Sequence, residues 1–162
     1  MKRLILAACL MLLTSQQGFA LSCMRPSVEG SYIAHSEAKE RFILVSGRLT
    51  DKRNVVHGPE IEGGMGNRSE NFTATSVGHQ ASRAGFDRPI KTTVAVSAVC
   101  AGPWCGSVAM DTPMFTFLEI TPYGHELADG PCGGNVFYNP TKDQIVRVLR
   151  CLRGGVCAPQ FR

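Results

Sequence analysis

In the middle of this chain apolar positions alternate most clearly at residues 94–98, and near its end they take up a helical repeat. Residues 31–41, SYIAHSEAKER, read as a short helix that runs into residues 42–50, FILVSGRLT. The second stretch is aliphatic and β-branched and predicts a strand, with Gly47 as a bulge. Residues 51–89 are polar, glycine-bearing and weakly patterned, which predicts a long excursion with one or two short edge strands, for example at residues 71–77. Strand character returns in residues 90–100, where Val94, Val96 and Ala98 share one face and Thr93, Ala95 and Ser97 the other. Residues 114–120, MFTFLEI, predict a further strand that alternates less cleanly, and residues 121–134 a turn-rich link before the short apolar NVFY.

The last element differs in kind. Thr141 stands three residues before Gln144, the spacing of a capping box, and Ile145, Val148, Leu149 and Leu152 form one apolar stripe that Gly154 ends. Arg147, Arg150 and Arg153 fall on or near the polar side and read as a solvated face.

The amino-terminal pattern has another meaning. Lys2 and Arg3 precede an apolar run from Leu4 to Leu13, followed by small and polar residues. The run is about half of the roughly 20 residues a membrane span needs, so residues 1–20 are expected to be a cleaved secretory signal. Cleavage after Ser22 and a lipoprotein signal at Cys23 are the alternatives, and residues 21–162 form one domain. No later stretch is apolar enough for a transmembrane segment, which places the mature chain in the periplasm or outside the cell.

Export changes the cysteine arithmetic. Cys9 leaves with the leader, and Cys23, Cys100, Cys105, Cys132, Cys151 and Cys157 remain, an even number suited to disulfides. Six cysteines allow 15 pairings. Local bridges Cys100–Cys105 and Cys151–Cys157 would leave Cys23 for Cys132, and the rival set joins Cys23 to Cys105 or Cys100. Loss of Lys2 and Arg3 lowers the formal charge from +4 to +2, too weak a balance to imply nucleic acid.

Candidate chemistry is sparse. In CAGPWCG the second cysteine reads Trp-Cys-Gly, as in a dithiol active site, but such chemistry needs two cysteines separated by two residues at a helix start. Cys105 follows Cys100 by five positions and has Val108 three residues on, so the pair reads as a staple, with a thiol-disulfide oxidoreductase using Cys100 and Cys105 as the alternative. His125-Glu126-Leu127-Ala128-Asp129 begins like a helical zinc-protease motif, but Asp129 stands where the second histidine belongs and glycine and proline crowd it. It reads as a polar turn. His35, His57 and His79 are isolated and read as surface histidines, and no serine-nucleophile or phosphate-loop motif is present. Asn67 and Asn71 head glycosylation sequons, relevant in a glycosylating host. No cofactor, metal site or catalytic residue is implied.

The order of parts resembles the netrin-like domain, a family that includes the tissue inhibitors of metalloproteinases. The resemblance rests on SAVCAGPWCGSV (residues 97–108), FILVSGRLT, and ELADGPCGGNVFYNPTKDQIVRVLRCLRG. It implies a mostly β fold: a five-stranded OB-type barrel with flanking helices, stapled by disulfides and used for binding another protein rather than for catalysis. In the inhibitors an amino-terminal cysteine presents its α-amino group and carbonyl to a protease's zinc. Cys23 and Met24 are the counterparts here, and Arg25 stands where the family has its second cysteine. The resemblance therefore implies a non-enzymatic protein-binding module, with metalloprotease inhibition through an amino-terminal Cys23 as a further alternative.

Overall fold

The computed structural model describes residues 21–60 and 68–160. The expected signal peptide and Asn67 lie outside these residues. Helix α1 spans Val28–Glu37, and strand β1 follows at Arg41–His57. Strands β2 (Glu70–Ala81) and β3 (Phe86–Ala98) come next, then the two-residue strands β4 (Cys100–Ala101) and β5 (Trp104–Cys105). Strands β6 (Met114–Thr121), β7 (Gly124–Asp129) and β8 (Val136–Tyr138) lead to helix α2 at Lys142–Leu152.

Five strands close on themselves. β1 pairs antiparallel with β2, β2 with β3, β3 runs parallel to β7, β7 is antiparallel to β6, and β6 returns to β1. Every strand of this ring therefore has a neighbour on both sides, and β8 pairs with β6 outside it. Residues from all five strands, among them Leu49, Phe72, Val94, Leu118 and Leu127, make one buried cluster within the ring. A second cluster joins Leu44, Phe115 and Phe117 to Val28 of α1, Val148 of α2 and Phe137 of β8. β6 serves both clusters, Met114 and Leu118 on one face and Phe115 and Phe117 on the other, and this is why its sequence does not alternate.

Several expectations are corrected by the topology. α1 begins three residues earlier than the apolar pattern suggests, because Ser27 caps it by accepting the Gly30 N–H at 3.1 Å. The described residues of the 51–89 stretch are mostly strand rather than a loose excursion: β1 continues to His57 through two register shifts, and β2 is an interior strand of 12 residues. The segment expected to be a polar turn, His125 to Asp129, is β7, which closes the ring, and His125 Nδ1 shares a 3.1 Å hydrogen bond with Thr92 Oγ1 of β3. Gly47 is not at a bulge. It lies opposite Gly78 in unbroken register, and a Cβ on either would run into the facing backbone, Val77 O for Gly47 and Ser46 O for Gly78.

α2 has the anticipated capping box, with Thr141 Oγ1 accepting from Gln144 N and Gln144 Oε1 accepting from Thr141 N. Val148 is fully buried and Ile145 and Leu152 pack beside it, whereas Leu149 is half-buried. Of the three arginines only Arg147 departs from a solvated face; Arg150 and Arg153 are exposed. Arg147 is 17 % exposed and meets Glu29 of α1, itself 2 % exposed, through its Nε, while its Nη1 reaches Asp143. Arg153 donates to the carbonyls of Arg83 and Ala84.

Two outcomes follow. Gly47→Ala should destabilise the protein by about 1–3 kcal/mol, since the added methyl meets backbone that cannot swing away. Gly130→Ala, whose methyl would sit at an ordinary 3.6 Å from Val99, should change stability little; urea unfolding compares them. Arg147→Ala should cost about 3 kcal/mol, because it strands a buried carboxylate, and replacing Glu29 by Gln in the same protein should recover much of that loss.

Candidate functional site

Three disulfides join Cys23 to Cys132, Cys100 to Cys105 and Cys151 to Cys157. Sequence separation ranks them. The first spans 109 residues and the others 5 and 6, so loop-closure entropy assigns about 5 kcal/mol to the first and about 2 to each of the others. Cys100 and Cys105 face each other across the β4–β5 hairpin, where Gly102 supplies the left-handed turn residue at φ 57°. Neither cysteine starts a helix, so no helix N-terminus stands ready to stabilise a thiolate. The hairpin instead abuts the end of β7: Val99 N–H donates to Asp129 O at 3.0 Å, and a Cβ on Gly106 would strike the same carbonyl.

The Cys23–Cys132 bond fixes the other candidate region. It pins the extended segment before α1 to the turn that follows β7. Residues 21–26 are all exposed, and their backbone makes no hydrogen bond to the described residues. Met24 is 78 % exposed. Beside it lies an open depression of about 400 Å³ bounded by Pro26, Ser31, His35, Gly134 and Asn135. Of the two tentative binding residues, Met24 sits at the rim of this shallow hollow, and Cys23 precedes it outside the lining.

The floor of that hollow is organised by Asn135. Its Nδ2 donates to Ala128 O, which turns Oδ1 toward His35, so His35 Nε2 carries the proton of their 2.7 Å hydrogen bond. His35 is half-buried, its ring tilted against Phe42 and Phe117 at centroid distances of 4.2 and 4.6 Å, and is not the surface histidine its sequence context implies. Burial lowers its pKa below 6.5, against the opposing effect of the hydrogen bond it donates to Asn135. The backbone N–H of Asn135 donates to Asp129 Oδ1 at 3.4 Å. Asp129 is buried at the end of β7, and burial raises its carboxyl to about 6, only partly offset by that N–H. Tyr138 is also raised, first by burial, with the Ala109 N–H opposing and the charge of Asp129 adding to the shift.

Sequence reasoning missed the linkage of His35, Asn135 and Asp129, and nothing in the spacing of three residues spread over about a hundred positions signals it. Among the described residues no three His, Cys, Asp or Glu side chains converge as a metal site would require, and no helix is long and apolar enough to cross a membrane. Comparison of the chain with protein-family models, with curated proteins and with solved structures finds no match.

Asp129 gives the region a pH signature. The unfolded chain loses this proton near 3.8 and the folded one near 6, so the native state binds more protons between these values and stability falls as pH rises through the window. Asp129→Asn removes the burdensome charge while keeping an oxygen for Asn135 N–H. The variant should be more stable than the parent by about 1–3 kcal/mol at pH 8 and equal to it near pH 4, as read from paired urea titrations.

Proposed function

We propose that this protein is an exported, non-enzymatic binding module of the netrin-like kind, periplasmic or secreted, on an OB-type barrel scaffold, and that its partner is another protein. The closed ring of five strands, the flanking helices and the three disulfides support the scaffold reading and are compatible with an extracellular location. One observation carries the functional reading: an extended segment with unpaired backbone groups is pinned in place by the Cys23–Cys132 bond and holds Met24 out into solvent. A large apolar side chain on a fixed support gains free energy when a partner covers it, and little ordering entropy remains to be lost there. Free N–H and C=O groups beside it suit pairing with a partner's backbone. Zinc chelation would require a chain beginning at Cys23, since its sulfur is engaged and only its α-amino group and carbonyl could reach a metal.

A photo-crosslinking side chain at position 24, in the protein expressed in its own exported compartment, should yield a discrete adduct. Excess untagged protein should compete it away, and Met24→Asp protein should not. A probe at Tyr123, which is 95 % exposed on the turn between β6 and β7 and is held by no disulfide, serves as the control. Equal adducts at both positions, or none at 24, would remove the amino-terminal segment from the proposal.

A further inference from the structure

The outer face of β1, β2 and β3 carries rows fixed by register. Ser46 lies opposite His79 and His79 opposite Pro89; Arg48 opposite Val77 and Val77 opposite Lys91; Thr50 opposite Thr75 and Thr75 opposite Thr93. Arg48, Val77, His79 and Lys91 are all exposed. Two strand spacings separate Arg48 from Lys91, about 10 Å between their Cα atoms.

A hollow of about 330 Å³ opens on this face between β1, β2 and the segments at Pro113 and Pro140, with Val77, the two prolines, Arg48, His79 and the backbone of Gly47 and Gly78 in its lining. Among the described residues Arg48, His79 and Lys91 have no ion pair and no side-chain hydrogen bond. Three cations elsewhere in the chain are engaged: Lys52 meets Glu70 at 2.7 Å, Arg147 meets Glu29, and Arg153 holds two carbonyls. The acidic residue of β3, Asp87, lies four residues from Lys91, about 13 Å along the strand.

We infer that this face is a second contact surface, which takes an acidic, extended segment of a protein partner with carboxylates on Arg48 and Lys91 and an apolar side chain in the glycine hollow. The inference rests on the protein-binding reading but uses a different surface from Met24. Charge complementarity selects the acid, and the hollow selects a peptide over a polyanion. A sulfated sugar or nucleic acid draws its affinity from many cations in line, whereas here two cations, Arg48 and Lys91, flank an apolar dent in a protein whose formal charge without Lys2 and Arg3 is only +2.

The test is a nitrogen-15 NMR titration of the oxidised protein, residues 21–162, with the probe peptide acetyl-Asp-Glu-Leu-Glu-Asp-amide. Its lysine counterpart and a heparin hexasaccharide run in parallel. The acidic peptide should shift the amides of Arg48, Val77, His79 and Lys91. The Arg48→Ala/Lys91→Ala variant, its remaining cross-peaks unmoved, should weaken the titration at least tenfold, and Met24→Asp should leave it unchanged. Absent shifts, shifts scattered over other faces, or stronger perturbation of the same amides by the sulfated sugar would overturn the inference. If the peptide fails while adducts at position 24 persist, this surface falls and the broader reading stands. If those adducts fail while the peptide maps here, the reverse holds.

Discussion

β1 must serve two neighbours at once, and the rest of the structure depends on that. Its first half pairs with β6 from Arg41 to Gly47, and its pairing with β2 begins at Val45 and runs to His57. The pairings overlap at Val45, Ser46 and Gly47, so the sheet turns back on itself there instead of ending at an edge. The facing glycines at 47 and 78 allow this, because the backbones of β1 and β2 approach more closely than any Cβ permits. The hollow proposed as a contact surface lies beside this junction, with Gly47 and Gly78 in its lining.

Closure fixes where everything else stands. With one core inside the ring, the aromatic outer face of β6 must be covered, and α1 and α2 cover it. The Glu29–Arg147 pair ties the two helices together, and the Ser27 cap sets where α1 begins. The chain preceding that cap is left outside the packed body, and the Cys23–Cys132 bond holds it against the turn after β7. That turn is the one in which Asn135 joins His35 to the buried Asp129. The exposed Met24 segment is therefore mounted on a turn that the ring, a helix and a disulfide all constrain, and this underlies the binding role proposed for it.

How much of this was legible follows from what each residue faces. α2 could be read to the residue at its start, because the cap and stripe are local, and the inward face of β3 could be read because Val94, Val96 and Ala98 are apolar against a solvated side. β2 and β7 were hidden for the opposite reason. The ring has little room inside, so the inward positions of β2 are Phe72, Ala74, Ser76 and Gly78, and only Leu127 and Asp129 are buried on β7. Strands that bury small or polar groups resemble loops. Arg147 and His35 were misplaced because burial of a charged or titratable side chain is decided by a partner distant in sequence, Glu29 for one and Asn135 for the other.

The closed ring is the claim on which all of this stands, and the parallel contact of β3 with β7 is its last seam. Interstrand nuclear Overhauser effects measure it directly in the oxidised protein. The account requires backbone contacts between Val96 and Leu127 in parallel register, together with contacts from Val45 to both Gln80 and Thr116. Val45 in contact with Gln80 alone, or β7 without contacts to β3, would show an open sheet and contradict the account.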